Sequence, residues 1–308
     1  MPGPTSQNPS STGQSSLPRY VLITPARNEE KYLEQTIQSV VAQTVRPLKW
    51  VVVSDGSTDR TDEIVRQYAA KHDWIEFVRT AERERAERAF SGKVHAFNAG
   101  FARVRDLPYD IVGSLDADIT FDESYFEFLA SRFAEDPRLG VAGTPFREGD
   151  QQYDFRFVST EHVSGACQLF RRECFASIGG YVPVKRCIDL VAVTTARMKG
   201  WKTRTFVEKV SHHHRKMGSE NHNKAMQVYS SGYYDYVFGV HPVWQVVRSV
   251  YLMRSKPYIL DGCRLFAGYF WAMLRRAEIP VSREFVAFRH KEQMRRLRTF
   301  LTGGLKKS

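Results

Sequence analysis

The stretch Tyr109-Asp-Ile-Val-Gly-Ser-Leu115 runs directly into Asp116-Ala-Asp118. Its first part is a short apolar run with the length and composition of a buried strand. Because side chains of an extended chain alternate between two faces, Asp116 and Asp118 project to the same side. Paired carboxylates at a strand end suit a hard cation, Mg²⁺ or Mn²⁺, on a diphosphate. An isolated pair with this spacing is more often a solvated acidic turn, but its position after an apolar strand in an α/β chain favours the metal site.

Upstream of this stretch, short apolar runs alternate with amphipathic ones as far as about residue 146. The predicted strands cover residues 20–24, 48–53, 75–78 and 109–115. Strand–helix alternation of this kind predicts an α/β fold with a mixed, mainly parallel sheet covered by helices on both faces. Ligands of such sheets bind at the carboxyl ends of the strands. The notable polar residues all fall at those ends: Arg27, Asn28, Glu29, Asp55, Asp116 and Asp118.

Length and composition are those of a globular protein. The 308 residues suffice for a sizeable core, and 42% hydrophobic with 26% charged residues argues against a disordered chain or a membrane bundle. Residues 1–18 are rich in Ser, Pro, Gly, Gln and Thr, which predicts a disordered tail without the pattern of a secretory signal. The four cysteines form no CxxC pair, as expected of reduced thiols in the cytoplasm.

The positive charge is concentrated near the C-terminus. Residues 241–308 contain fourteen Lys and Arg against four Asp and Glu, and so carry nearly all of the net charge of +11. A basic partner surface therefore belongs to this segment.

Six segments between residue 20 and about residue 210 resemble the family 2 glycosyltransferases of the GT-A fold, in the family's order and spacing. They are Thr24-Pro-Ala-Arg-Asn-Glu29, Gln43-Thr44, Val51-Val-Val-Ser-Asp-Gly-Ser-Thr-Asp59, Gly92-Lys93 with Asn98-Ala-Gly100, Asp116-Ala-Asp118, and Gly179-Gly-Tyr181. Each segment alone is weak, but together they are specific. The resemblance implies a nucleotide-diphospho-sugar transferase that is inverting and depends on Mn²⁺ or Mg²⁺. We expect a GT-A catalytic domain at residues 19–217 and a separate segment at residues 218–308.

The resemblance also implies a role for each matching residue. Asp55 would accept a hydrogen bond from the ring NH of the base, which favours uracil and so UDP as the carrier. Many relatives have Asp-Asp-Gly-Ser where this chain has Ser54-Asp-Gly-Ser, and the second acid is retained. Lys93 would approach the base or diphosphate, Asp116 the ribose, and Asp118 the metal. The full set of expected donor-binding residues is Pro25, Arg27, Glu29, Asp55, Lys93, Asp116, Ala117, Asp118, Arg215 and Lys216.

The triple histidine His212-His-His-Arg215 is the next candidate site. Neighbours in an extended chain point in opposite directions, so the three cannot all face one ion. In metal-dependent GT-A enzymes a late histidine completes the metal shell shortly before a basic residue. That pattern favours His212 as a metal ligand, with His214 on the same side in reserve. The alternative is an ordinary strand end that enters a loop.

The residues after this site resemble a mobile loop that closes over the donor. Residues 216–224 contain Gly218 and two Asn, and Arg215 and Lys216 would neutralise the leaving diphosphate.

The expected catalytic base is Asp189. Relatives carry an acidic residue, often Glu-Asp, at the start of a helix after the Gly-Gly-Tyr segment, and here the matching pair is Ile188-Asp189. Such a carboxylate takes the proton of an acceptor hydroxyl as its oxygen attacks the anomeric carbon, and a single displacement of this kind inverts that carbon. The bland interpretation of Asp189 is a helix N-cap. Gly165-Ala-Cys167 would lie beside the donor sugar or the acceptor.

The C-terminal segment predicts an amphipathic helical appendage. Apolar and aromatic clusters between residues 236 and 274 are punctuated by Lys and Arg, and the longest uncharged runs, about a dozen residues, are too short to cross a bilayer. Such clusters suit peripheral binding to an anionic membrane surface, on the cytoplasmic inner face of the cell membrane. There the protein would meet a lipid-linked acceptor, which we expect to be a polyprenyl-linked glycan of cell-surface polysaccharide synthesis. The alternative is packing on the catalytic domain or on a second subunit.

The pattern Gln-x-x-Arg-Trp of processive synthases in the family is absent. Gln245-Val-Val-Arg248 is followed by Ser249 instead of Trp. We therefore expect one sugar per acceptor.

Two other classes fit the sequence less well. A nucleotidyltransferase would usually carry a Gly-rich phosphate loop after the first strand, but residues 25–30 contain no glycine. A nucleic-acid-binding protein would explain the basic C-terminal segment. It would leave the carboxylates unexplained and repelled by phosphate, so we expect no nucleic-acid partner.

Overall fold

The computed structural model describes residues 17–81, 85–148, 159–215, 224–254 and 256–302. The strands in these ranges are β1 (Tyr20–Ala26), β2 (Lys49–Asp55), β3 (Ile75–Thr80), β4 (Ile111–Leu115), β5 (Ile119–Thr120), β6 (Leu139–Gly143), β7 (Phe146–Arg147), β8 (Cys167–Arg171), β9 (Lys202–Thr205) and β10 (Ser211–His213). The helices are α1 (Leu33–Val41), α2 (Thr61–Ala69), α3 (Arg85–Val104), α4 (Tyr125–Glu135), α5 (Arg172–Ser177), α6 (Ile188–Met198), α7 (Lys224–Val237), α8 (Pro242–Leu252), α9 (Leu260–Leu274) and α10 (Arg283–Leu301).

The large sheet has the strand order β3-β2-β1-β4-β8-β6-β9. β3, β2, β1 and β4 run parallel, β8 runs antiparallel to both of its neighbours, and β6 pairs with β9 in parallel. A small sheet, β5-β10-β7, lies beside it. The predicted mixed, mainly parallel sheet is confirmed.

Helices cover both faces of the large sheet, as predicted. Successive residues of β1 and β2 alternate between two buried clusters because side chains in a strand alternate with period two. Leu22 and Val52 belong to the cluster that contains Ile37 of α1. Ile23 belongs to the opposite cluster, with Phe97 of α3. Both faces are therefore dry, which accounts for the nearly continuous apolar runs in the sequence.

α3 packs unusually close to the sheet. A Cβ atom at Gly100 would lie 2.6 Å from Cγ2 of Ile23 and 2.9 Å from Cγ2 of Val53, so only glycine fits there without a shift. The helix begins at Arg85, and Ser91 interrupts it with a non-helical φ of −152°. The turn after that kink carries Lys93 to the carboxyl ends of the parallel strands.

The C-terminal helices are attached to the sheet domain chiefly through α10. The Arg197 guanidinium of α6 and the Glu292 carboxylate of α10 form a bidentate pair at 2.8 and 3.0 Å, with both side chains largely buried. Phe285 of α10 joins Val191 of α6 in a third apolar cluster. Packing on the catalytic domain, one of the two alternatives for this segment, therefore applies to α10.

Three expectations stay predictions. The disordered tail falls largely on residues 1–16, and the closing loop on residues 216–223, which lie outside the described residues. The boundary between the two predicted domains also remains untested. In the described part of the chain, no helix is both long and apolar enough to cross a bilayer.

Candidate active site

A polar cleft of about 350 Å³ opens at the carboxyl ends of β1, β2 and β4. Its lining contains every predicted donor-binding residue that the structure describes: Pro25, Arg27, Glu29, Asp55, Lys93, Asp116, Ala117, Asp118 and Arg215. Lys216 lies outside the described residues. Residues separated by almost two hundred positions in the chain thus meet in one cleft.

Hydrogen bonds between backbone amides and side-chain oxygens connect the loops after β1 and β2. The amide of Asn28, whose φ is +53°, donates to the Ser57 hydroxyl at 3.2 Å, and the Asn28 side-chain oxygen accepts the Thr58 amide at 2.9 Å. The amide of Glu29 donates to the Thr61 hydroxyl at 2.7 Å. These bonds hold Arg27 and Glu29 at the mouth of the cleft.

Asp55 has one carboxylate oxygen fixed from the next strand. The Thr80 hydroxyl at the end of β3 donates to Oδ1 of Asp55 at 2.8 Å, and the Asp55 side chain is almost fully buried. The Arg27 guanidinium donates to the Asp55 carbonyl at 3.0 Å. The carboxylate is therefore held rigidly in the wall of the cleft, as recognition of a flat polar ligand requires.

Lys93 connects Asp116 with the opposite wall. Its ammonium donates to Oδ1 of Asp116 at 2.5 Å and lies 3.4 Å from the carbonyl oxygen of Gly165. Burial alone would lower the pKa of Lys93, but the nearby carboxylates of Asp116, Asp189 and Asp118 outweigh burial and raise it. Lys93 therefore stays charged and offsets the first acid of the pair.

Arg215 connects the two remaining carboxylates of the cleft. Its Nη2 donates to Oε2 of Glu29, and its Nε lies 3.3 Å from Oδ2 of Asp118. Burial raises the pKa of Glu29 to about 7, with Arg215 opposing this shift and Asp118 and Asp116 adding to it. A single guanidinium thus occupies the space between two acids, where a cationic group is needed.

His213 is the histidine that faces Asp118. Its Nε2 lies 3.3 Å from Oδ2 of Asp118, and its Nδ1 lies 2.8 Å from Oε1 of Glu148. Burial alone would raise the pKa of Asp118, but His213 and Arg215 together lower it. The pKa of His213 is raised, because the two carboxylates outweigh the effect of burial.

The structure therefore differs from the prediction that His212, with His214 in reserve, meets the metal. His212 is exposed, and Nε2 of His214 pairs with the Thr120 hydroxyl at 2.8 Å. Side chains do alternate along β10, but which of them face the cleft depends on how β10 pairs with β5 and β7. That pairing sets His213 opposite Ile119. Buried Ser211 lies two residues earlier and marks the same inward side.

Asp118 and His213 fit a divalent cation. Glu148 holds the second ring nitrogen of His213, the arrangement that usually orients a metal-binding imidazole. The carboxylate oxygen of Asp118 is a donor that suits Mn²⁺ and Mg²⁺. In the described ranges, no group of three His, Cys, Asp or Glu side chains is arranged to hold a metal ion by itself. A cation held by these two groups would therefore take further oxygens from a bound ligand or from water.

Asp189 lies beside the cleft without lining it. It is the second residue of α6, the N-cap position belongs to Cys187, and the Asp189 side chain does not cap the helix. Its Oδ2 accepts the Gly165 amide at 3.2 Å. A Cβ atom at Gly165 would lie 3.1 Å from Cβ of Asp189, so glycine permits this close approach. Gly165 thus lies between the Lys93–Asp116 pair and Asp189, and its backbone contacts both.

Sequence reasoning missed Glu148 and the role of Thr80. Glu148 follows β7, whose pairing with β10 is a contact over about sixty-five residues, and nothing in the local sequence marks it. Thr80 ends β3 in register with Asp55, so the strand prediction could have found it.

Comparison with known proteins agrees with this geometry. The family profile described as Glycosyl transferase family 2 matches residues 21–186, more than half of the chain. The chain is 32% identical over 133 residues to the probable glycosyltransferase YdaM of Bacillus subtilis (strain 168), covering 42% of this chain and 30% of YdaM. It is 32% identical over 119 residues to the poly-beta-1,6-N-acetyl-D-glucosamine synthase of Staphylococcus aureus (strain COL), covering 38% of this chain and 26% of the synthase. The chain therefore matches less than a third of the length of these two relatives.

Solved structures share the fold at low sequence identity. The mannosyltransferase PcManGT from Pyrobaculum calidifontis, in complex with GDP-Man and Mn²⁺, superposes with a TM-score of 0.53 and 21% identity over 94% of this chain and 81% of PcManGT. S. aureus TarS 1–349 in complex with UDP-GlcNAc gives a TM-score of 0.52 and 16% identity over 83% and 73% of the two chains. These likenesses confirm the predicted GT-A fold.

We predict that His213→Ala and Glu148→Gln both weaken Mn²⁺ binding. Loss of the Glu148 carboxylate should lower the affinity about 10–100-fold, because the imidazole is no longer held in orientation, and loss of His213 should lower it at least as much. Titration of Mn²⁺ monitored by the electron paramagnetic resonance of the free ion measures the affinity. His212→Ala is the matched control and should bind as the wild type does. Weaker Mn²⁺ binding in His212→Ala, with normal binding in His213→Ala, would instead identify His212 as the metal ligand.

Proposed function

Because the chain belongs to glycosyl transferase family 2, we propose that it transfers a sugar from a nucleoside-diphosphate donor to an acceptor hydroxyl with inversion of the anomeric carbon. One observation carries the proposal: Asp55, Lys93, Asp116, Asp118 and Arg215 line a single cleft at the carboxyl ends of parallel strands. A nucleoside diphosphate needs a polar partner for its base and cations for its phosphates, and the cleft offers both.

The donor we propose is a UDP-sugar. The buried Asp55 carboxylate, held by Thr80, can accept a hydrogen bond from the N–H of a uracil ring. Lys93 and Arg215 carry the positive charge that a diphosphate requires, and both now pair with carboxylates that a donor would replace as partners. TarS was solved with UDP-GlcNAc, whereas PcManGT was solved with GDP-Man.

The proposed metal is Mn²⁺ or Mg²⁺, held by Asp118 and His213. When bound, it would neutralise negative charge on the diphosphate leaving group. Arg215 would support the same charge once its contacts with Glu29 and Asp118 are exchanged for phosphate oxygens. Lys216, which follows it, keeps its proposed part in the closing loop.

Asp189 is the base we propose. Its carboxylate takes the proton of the acceptor hydroxyl while that oxygen bonds to the anomeric carbon and the bond to the diphosphate breaks. Nucleoside diphosphate leaves from the opposite side, so the configuration inverts. The Gly165 amide orients Asp189, and Lys93 contacts both the Gly165 carbonyl and Asp116. The base is thereby aligned with the donor cleft.

We propose a lipid-linked acceptor, such as a polyprenyl-linked glycan in cell-surface polysaccharide synthesis, which receives one sugar at the inner face of the cell membrane. Support comes from the C-terminal segment, which is basic and rich in exposed apolar side chains, and from the missing Gln-x-x-Arg-Trp pattern. The polysaccharide context is supported by the relative from S. aureus, which is named as a poly-beta-1,6-N-acetyl-D-glucosamine synthase.

Donor binding is tested first by thermal unfolding with a panel of nucleotide sugars in Mn²⁺ and again in EDTA. A ligand at a hundred times its dissociation constant stabilises by about 2.7 kcal/mol, so for a chain of 308 residues we expect a shift of about 4 °C with a UDP-sugar. EDTA and Asp118→Asn should each remove the shift. Asp106→Asn, at a side chain 89% exposed, is the matched control and should retain it. Absence of a shift with every donor would contradict the proposed donor site.

The base is tested by transfer of radiolabelled sugar to lipid extracts. Asp189→Asn should lower the turnover rate about 10²–10⁴-fold, because the amide cannot accept the proton. The thermal shift with the donor should persist in this variant, which separates loss of the base from loss of binding. Glu208→Gln, an exposed acid, serves as the control. Wild-type turnover in Asp189→Asn would exclude Asp189 as the base.

A further inference from the structure

Helix α8 has its polar and apolar faces reversed relative to a helix that faces water. Gln245 and Ser249 are fully buried against α9, and the Gln245 amide reaches the Leu265 carbonyl at 3.5 Å. The other side of α8 exposes four valines: Val243, Val246, Val247 and Val250. A helix in a globular protein normally turns its apolar stripe inward. The outward valines therefore suit an apolar medium better than water.

Helix α9 also turns large apolar residues outward, although its inner side buries Leu265 and Tyr269. Two glycines on that inner side allow close packing: a Cβ at Gly268 would lie 2.0 Å from the Tyr229 carbonyl oxygen of α7, and Gly262 packs similarly on Ser249 of α8. Its outer side exposes Phe266, Trp271, Met273 and Leu274. Close helix contacts through glycine, combined with large apolar residues on the outer side, also occur in helices packed in lipid.

The turn before α9 projects three consecutive large side chains. Tyr258, Ile259 and Leu260 are 60%, 60% and 53% exposed. An exposed cluster of this kind on a water-soluble protein marks a binding surface. Tyrosine and tryptophan, here Tyr258 and Trp271, favour the boundary between lipid and water.

Unpaired basic side chains accompany the apolar surface. The outer face of α8 borders an open, mainly apolar cavity of about 570 Å³ between α8 and α10, whose lining includes the exposed Val246, Val247 and Val250 together with Phe300, Arg254 and Arg295. Within the described ranges, neither arginine has an ion-pair partner. The surface thus combines exposed apolar side chains with positive charges that an anion could neutralise.

We propose that α8 and α9 insert their outer faces, with the turn at residues 258–260, into the interface of an anionic membrane. At 11 and 15 residues both helices are too short to span the bilayer, so they lie within one leaflet. Interfacial helices reach about 5–10 Å into the boundary of headgroups and acyl chains. Arg254 and Arg295 then contact lipid phosphates, and the cavity beside them takes an acyl chain.

Charge favours an anionic membrane over a second copy of the chain as the partner of this surface. Residues 241–308 carry a net charge of +10, so two copies apposed through this surface would repel each other. An anionic lipid surface attracts the same charge. The inference deepens the proposed function and rests on it for the membrane location, but it concerns attachment, which can be measured without any transfer assay.

Vesicle flotation with the full chain tests the proposal, using phosphatidylcholine vesicles with and without phosphatidylglycerol. We expect the wild type to float with the anionic vesicles only. Replacing Tyr258, Ile259 and Leu260 together by Ser should lower the partition coefficient about tenfold or more, because the buried apolar area is lost. The matched control replaces three exposed apolar residues of the catalytic domain by Ser: Leu48, Val182 and Val207. That control should float as the wild type does.

Charge and insertion are separated by two further measurements. Arg254→Gln/Arg295→Gln should weaken partitioning about tenfold, and Arg46→Gln/Lys199→Gln, with the same change of charge, should not. Brominated lipids should quench part of the tryptophan fluorescence, and Trp271→Phe should reduce that part, with Trp244 beside the cavity accounting for the rest. A wild type that stays unbound to anionic vesicles overturns the proposal. The proposal is also overturned if the variant at residues 258–260 and its control bind the vesicles equally. It is likewise overturned if the wild type is a dimer that this variant dissociates. Circular dichroism establishes that each variant is folded.

Discussion

Carboxylates gathered in one cleft are the constraint on which the rest of this structure depends. Glu29, Asp116 and Asp118 follow two neighbouring strands, and like charges about 4 Å apart near a protein surface repel by about 4 kcal/mol. The chain offsets this repulsion with cations from distant segments. Lys93 comes from α3, and Arg215 follows the small sheet. The carboxylates of the cleft therefore have their cationic partners only when α3 and the segment after β10 are in place, which ties the site to distant parts of the domain.

The same cations explain how the cleft can bind a diphosphate. Lys93 and Arg215 are already positioned by protein carboxylates, so binding exchanges one anionic partner for another and leaves little rearrangement to be made. His213 differs from them, since Glu148 fixes one nitrogen and leaves the other toward Asp118. Gly165 then links the Lys93 contact to Asp189 through its own backbone. In this account, donor cleft and base form one hydrogen-bonded unit.

Local sequence was sufficient wherever a residue's position follows from the strand that carries it. Asp55, Asp116 and Asp118 come directly after apolar runs, so the parallel sheet that those runs predict already brings them together. His213 could not be chosen over His212, because the phase of β10 depends on pairing with β5 and β7. Glu148 was missed for the same reason. Composition alone could not distinguish the C-terminal helices that pack on the sheet domain from those that expose apolar side chains. In the structure, α10 is fixed by the buried Arg197–Glu292 pair, whereas α8 and α9 turn valines and aromatic residues outward.

The central claim is that these carboxylates and cations form the binding site of a nucleoside diphosphate. A crystal structure with UDP and Mn²⁺ tests it most directly. The account predicts the metal between Asp118, His213 and the diphosphate, the base against Asp55, and Arg215 moved from Asp118 to a phosphate oxygen. Nucleotide bound outside the cleft, or Mn²⁺ coordinated without Asp118 and His213, would contradict it.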